Sequence, residues 1–187
     1  MIRTPFRLLV LAVTSVVATA VLTGPAQAAP SCGITWGSAA EGDRTIDPAA
    51  GTTLTHVRAG RHDCFDRLVL DIDGPAPVSS WHVAYVDAVI EDPTGNPVPV
   101  RGGAFLQISV GVSDHDTQGL PTYCPADRRE LVTTTGFRTF RQVAWAGSFE
   151  GVTNLGLGVR ARLPFRVLTL SGGPSDSRVV VDVAHRW

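Results

Sequence analysis

Apolar residues return at every second position in short runs along this chain. That period restricts the fold more than any other feature. Leu68, Leu70 and Ile72 alternate with Arg67, Val69 and Asp71. The same beat recurs over 81–86, 105–110, 140–149, 154–159, 165–170 and 178–183. Period two is the signature of a strand with one face buried, whereas a helix repeats every 3.6 residues. The breaks between runs are turn-forming: Asp73-Gly74-Pro75, Pro93-Thr94-Gly95-Asn96-Pro97, Gly119-Leu120-Pro121 and Gly172-Gly173-Pro174. With 19 Gly and 13 Pro in 187 residues, long helices have little room. Many short strands at close spacing predict an all-β fold, an antiparallel β-sandwich or an open barrel. One long loop is expected over 111–133, where polar residues, Pro and Gly cluster without period.

Two of the runs echo each other. Arg67-Leu68-Val69-Leu70-Asp71-Ile72 and Arg178-Val179-Val180-Val181-Asp182-Val183 share the form Arg-apolar-Val-apolar-Asp-apolar. In each, Arg, Val and Asp project to one face and three aliphatics to the core face. If the two strands pair, an antiparallel register centred on Val69 and Val180 sets Arg67 opposite Asp182 and Asp71 opposite Arg178. A parallel register would bring like charges together at a cost.

The first residues predict the compartment. Arg3 and Arg7 precede an apolar run from Leu8 to Leu22, and Ala26-Gln27-Ala28 forms a small-x-small cleavage site. This order reads as a secretory signal peptide over 1–28. A spanning helix needs about 20 apolar residues, more than this run supplies. A mostly irregular N-terminal segment is expected over 29–53, with Trp36 as its one large apolar residue. The β-domain follows over 54–187. With 16 basic and 17 acidic residues there is no cationic footprint for nucleic acid. No second apolar run reaches membrane-spanning length.

Outside the membrane, two of Cys32, Cys64 and Cys124 are expected to pair, and sequence alone leaves three pairings open. Cys32–Cys64 is the pairing expected here, because it ties the N-terminal segment to the first strong strand. Cys124 lies in a loop. No C-x-x-C or H-x-x-x-H spacing exists, so no metal site is expected. His62-Asp63-Cys64 suggests an activated thiol, but neighbours on an extended chain point to opposite sides, and a disulfide accounts for Cys64 more simply. Asp114-His115-Asp116 reads as a solvated loop, and Glu150 has no evident partner. Gly156 and Gly158 alternate within a strand and suggest close packing or twist. There is no Gly-x-Ser-x-Gly elbow and no phosphate-binding Gly loop. No catalytic set and no cofactor are therefore expected. The better lead is binding. Arg138 and Arg141 lie about Phe140, and Arg160 and Arg162 flank Ala161. Guanidinium groups pair with carboxylates and stack on rings, as wall peptides and sugars would require, and the bland alternative is pairing with the protein's own acids.

A set of motifs in order carries a family resemblance. They are Cys32-Gly33-Ile34-Thr35-Trp36-Gly37-Ser38, Gly60-Arg61-His62-Asp63-Cys64-Phe65-Asp66-Arg67, Tyr85-Val86-Asp87, Phe149-Glu150-Gly151, Gly156-Leu157-Gly158-Val159 and Leu163-Pro164-Phe165-Arg166-Val167. With the closing strand 178–183, the chain resembles the AMIN-like domain of secreted actinobacterial proteins, a relative of the AMIN domain of periplasmic amidases and secretins. The resemblance implies a β-sandwich and a non-catalytic role at the cell envelope, in binding peptidoglycan or a wall-associated protein. Arg138, Arg141, Arg160 and Arg162 are the ligand-binding candidates. An enzyme acting on wall material through the long loop, or a partner module using a sheet edge, are the alternatives.

Overall fold

The computed structural model describes residues 28–74, 78, 80–173 and 176–187. The expected signal peptide lies, apart from Ala28, outside the described residues. Among the described residues there is no helix. The strands are β1 (Ala28–Ser31), β2 (Ile34–Trp36), β3 (Glu41–Gly42), β4 (Thr53–Arg61), β5 (Phe65–Asp73), β6 (Trp81–Val86), β7 (Val89–Ile90), β8 (Pro97–Val98), β9 (Ala104–Val110), β10 (Phe140–Phe149), β11 (Val152–Val159), β12 (Phe165–Gly173) and β13 (Asp176–Ala184). Two antiparallel sheets pack face to face as a sandwich. One has the order β10-β11-β9-β6-β3 and the other β12-β13-β5-β4. β1 pairs with β2, and β7 with β8, in small two-stranded sheets.

The alternation places the core as expected. Leu68, Leu70, Ile72, Val179, Val181 and Val183 of the four-stranded sheet meet Val83, Leu106, Ile108, Val143, Leu155 and Leu157 of the five-stranded one. Each is buried because the pleat turns every second side chain inward. The long stretch between β9 and β10 has no strand of its own, and it docks on the core through Tyr123, Leu131 and Val132.

The echoed runs become β5 and β13 and pair antiparallel. Val69 stands opposite Val180, Arg67 opposite Asp182 and Asp71 opposite Arg178. The Asp182 carboxylate takes Arg67 Nε at 2.6 Å and Nη2 at 2.8 Å, and Arg166 Nε from β12 at 2.9 Å. Asp71 takes Arg58 Nε at 2.6 Å from β4 and Arg178 Nε at 3.2 Å. The charges that select the register thus lie on the sheet face turned away from the core. Val69 and Val180 are covered between them by arginine stems (only 6% and 1% exposed), as long cationic side chains cover apolar surface.

The outer face of the five-stranded sheet is built differently. Residues 87–101, carrying the β7–β8 hairpin, lie flat across it. Gly156 and Gly158 face outward between the inward Leu155, Leu157 and Val159. A Cβ at Gly156 would stand 2.8 Å from Val89 side-chain atoms, and one at Gly158 would collide with the Arg101 carbonyl oxygen. The close packing expected for these two glycines is packing under this arm. Gln107 bonds the Ile90 backbone twice, receiving its N–H at 3.0 Å and donating to its carbonyl at 3.3 Å. Gln142 receives the Arg101 N–H at 2.6 Å and donates to the Arg129 carbonyl at 2.8 Å. Two buried or half-buried amides therefore bond the arm to the sheet at Ile90 and Arg101.

Candidate functional site

The turn from β4 to β5 carries the densest charge in the motif region. It closes with the His62 N–H donating to the Phe65 carbonyl at 3.0 Å. The expected disulfide pins it: Cys32 bonds Cys64, with Cα atoms 6.4 Å apart. Cys124 is free and exposed. The segment behind Cys32 docks with it. Trp36 is buried and lies 5.8 Å from the Phe65 ring, with the Arg166 guanidinium 5.3 Å from its own ring. His62 also stacks on Phe65, with ring centroids 4.5 Å apart.

A polar cleft of about 330 Å³ opens beside this turn, lined by Arg61, His62, Asp63, Asp66, Gly136, Arg138 and His185. Three separate stretches build it: the β4–β5 turn, the loop before β10, and the residue after β13. Asp66 is its buried anchor and faces the core side of β5. Its Oδ2 receives the Thr139 N–H at 2.5 Å and the Phe140 N–H at 3.1 Å, and its Oδ1 meets His185 Nε2 at 3.1 Å. His185 Nδ1 meets the Asp63 carbonyl at 3.1 Å. Both ring nitrogens therefore face oxygen atoms of Asp63 and Asp66. Asp66 is thus committed to holding the loop and the C-terminal residue in place.

The guanidinium groups are the free chemistry of the cleft. Arg58, Arg67, Arg101, Arg166 and Arg178 each meet a carboxylate. Arg61 and Arg138 meet none among the described residues. Gly136 seats Arg61, since a Cβ there would stand 2.9 Å from Arg61 Nη1, and its φ of +79° suits glycine.

The four arginines singled out in the sequence divide. Arg138 lines the cleft. Arg160 reaches its edge and donates to the His185 carbonyl. Arg141 turns back on its own loop, donating to the Phe140 carbonyl at 2.8 Å and the Arg138 carbonyl at 3.3 Å. Arg162 lies over the Tyr85 ring at 4.6 Å and donates to the Ser38 carbonyl at 3.3 Å. None of the four pairs with the protein's own acids among the described residues; Arg141, Arg160 and Arg162 donate to backbone carbonyls instead. Tyr85 itself ties down Leu163, donating to its carbonyl at 2.6 Å, and burial pushes its hydroxyl up to about 12.

The other titratable candidates are occupied structurally. His115 Nδ1 meets Asp114 Oδ1 at 2.6 Å, and Asp116 Oδ1 receives the Gln118 and Leu120 N–H groups at 2.8 and 2.9 Å. Glu150 and Gly151 form the β10–β11 turn, both at positive φ (49° and 78°), as a tight two-residue hairpin turn requires.

A model of the AMIN-like domain matches residues 52–185. The chain belongs to the AMIN-like domain family. No curated protein and no solved structure matches the chain. AMIN-like domains are generally non-catalytic binding modules, associated with peptidoglycan or the cell envelope. In this AMIN-like domain the match runs from the residue before β4 to His185, so it contains every residue that lines the cleft. Cys32 and Trp36 lie outside the match and are joined to it by the disulfide. Sequence reasoning missed Arg61, Asp66 and His185 as members of the site. Arg61 and Asp66 do lie in a quoted motif, in a charged turn next to a cysteine, and that density was the available signal. Nothing local marked His185, which is brought to the turn by the pairing of β13 with β5.

Proposed function

We propose that this chain is a secreted, non-catalytic module of the cell envelope that binds carboxylate-bearing wall material, with Arg61 and Arg138 as its contacts. The observation that carries this reading is a pair of guanidinium groups in one cleft with no carboxylate partner, beside an acid, Asp66, already committed to the fold. A planar guanidinium offers two parallel donors to a carboxylate, and peptidoglycan stems end in carboxylates. Arg160 at the edge supplies further positive potential. The disulfide and the family suit an extracytoplasmic setting.

Co-sedimentation of the purified protein with isolated peptidoglycan tests the proposal. Wild type should pellet with the wall at low salt and less so at high salt, because exposed charge pairs are screened over about 10 Å at 0.1 M. Arg61→Ala with Arg138→Ala should abolish the salt-sensitive part while the fold persists. Gly136→Ala should weaken binding by displacing Arg61. Release of soluble muropeptides by wild type, lost in a folded His185 variant, would refute the non-catalytic reading.

A further inference from the structure

Beside the cleft the sandwich leaves one stretch of edge strand open among the described residues, while other edges are wholly or partly capped. The edge of β10 is capped by the loop before it: the Leu131 N–H donates to the Val143 carbonyl at 2.9 Å and the Trp145 N–H to the Arg128 carbonyl at 2.7 Å. The edge of β12 is met at its start by the Gly37 carbonyl, 2.7 Å from the Phe165 N–H, and by Glu41, which receives the Val167 N–H at 3.1 Å. The beginning of β4 is closed as well, by the Leu54 N–H donating to the Ser113 carbonyl at 2.8 Å. From Thr55 to Gly60, β4 pairs with β5 on one side and, among the described residues, with no backbone on the other. Unpaired edges invite further strands, and folded proteins usually blunt them.

This edge has a definite chemistry. The cationic side chain within 55–60 is Arg58, and β4 contains no acid. Arg58 projects on the outer face, 56% exposed even while it holds Asp71. Gly60 next to it leaves the outer face low, over a depression of about 350 Å³ that also borders His62 and Leu170. On the opposite side of the strand, Val57 and Ala59 are half-buried against the core.

We propose that residues 55–60 are a docking edge for an extended acidic segment of a protein partner, which adds to the four-stranded sheet as a fifth strand. Main-chain hydrogen bonds supply affinity in this mode, and alternate side chains supply specificity. On the added strand, carboxylates at every second position face Arg58 and the depression. The intervening residues are apolar and extend the Val57–Ala59 row. A second copy of this chain is the wrong occupant, because it would bring cations to cations. This edge is distinct from the carboxylate contacts of the cleft and does not depend on them.

The probe is an array of end-capped hexapeptides with Glu, Lys or Ser at alternate positions, and Val, Ile, Leu, Thr, Phe or Tyr between. The full chain should be retained by the Glu series about tenfold more than by the Lys series at low salt, as electrostatic complementarity at a rim predicts. For the best Glu peptide in solution, N-methylation in one of the two alternating frames should abolish binding, and amide exchange of residues 55–60 should slow. Arg58→Gln should lower the Glu preference without changing wall sedimentation. Equal retention of the Glu and Lys series would overturn the proposal. So would indifference to N-methylation in both frames, protection that maps away from β4, or a dimer in solution whose β4 amides are protected.

Discussion

The two outer faces of this sandwich are made from the same alternation and end in opposite states. On the five-stranded sheet, glycines at the outward positions let residues 87–101 lie against the strands, and Gln107 and Gln142 bond the arm down. On the four-stranded sheet the outward positions carry Arg58, Arg67, Arg166 and Arg178 with Asp71 and Asp182 between them, and among the described residues the segment carrying Trp36 covers only the Phe65–Arg166 end. One face is closed by small residues, the other stays open because it is charged. The depression and the free edge lie on the open side, and the cleft opens beside them at the end of the sandwich. The covered face serves stability and the open face is available to ligands.

The sharpest way to break this contrast is to enlarge one glycine on each side. Gly158→Val drives a side chain into the Arg101 carbonyl, so the arm must move. The expected loss is about 3 kcal/mol, in the range of core overpacking, read as a fall in the urea midpoint. Gly60→Ala has only ordinary contact, with His62 Nε2 3.8 Å from the new Cβ, and should stay within about 0.5 kcal/mol. Comparable losses in both variants would erase the distinction between the faces.

Next in size is the disulfide, which holds the N-terminal segment over one end of the open face. Its cysteines are 32 residues apart in sequence. Cys32→Ser with Cys64→Ser should cost about 2–4 kcal/mol, the usual range for a disulfide, and should expose Trp36, seen as a red shift of tryptophan emission. An unshifted spectrum would mean that Trp36 docks without the bond.

Within the charged face, burial should grade the acids. Asp182 is fully buried between two guanidinium groups, so Asp182→Ala strands both and should cost about 2–3 kcal/mol. Asp71 is more exposed and should cost about 1 kcal/mol or less. The hydrogen bond from Arg58, and then its charge, hold the Asp71 carboxyl below the usual range. A lowered folded-state value contributes stability above the ordinary carboxylate pKa of about 3.9, and that contribution is lost as pH falls through the folded value. The gap between wild type and Asp71→Asn in urea midpoint should therefore be widest at neutral pH and close below about pH 4. A constant gap would show that the effect is not electrostatic.

The fold was largely legible because the pleat writes itself into sequence with period two. The β5–β13 register was legible too, since opposite charges at Arg67, Asp71, Arg178 and Asp182 allow one antiparallel alignment. The arm was only half legible. Gly156 and Gly158 announced a close approach, but what approaches is Val89, Val100 and Arg101, more than 50 residues earlier. β4 escaped notice because Thr, His, Arg and Gly break its apolar beat, as befits a polar edge. The cleft was the least legible part. Arg138 stood out by clustering with Arg141, yet its companion in space is Arg61, joined through the pairing of β5 with β4 and the seating of Gly136. Contacts between residues distant in sequence leave no local signal.

The central claim is that wall ligands meet the cleft at the end of the sandwich and not the covered face. Amide chemical-shift mapping with soluble, carboxylate-bearing peptidoglycan fragments tests it directly. The account predicts perturbations at Arg61, His62, Gly136, Arg138 and His185, with residues 87–101 unmoved. Perturbations concentrated in 87–101, with the Arg61–Arg138 cleft silent, would contradict it.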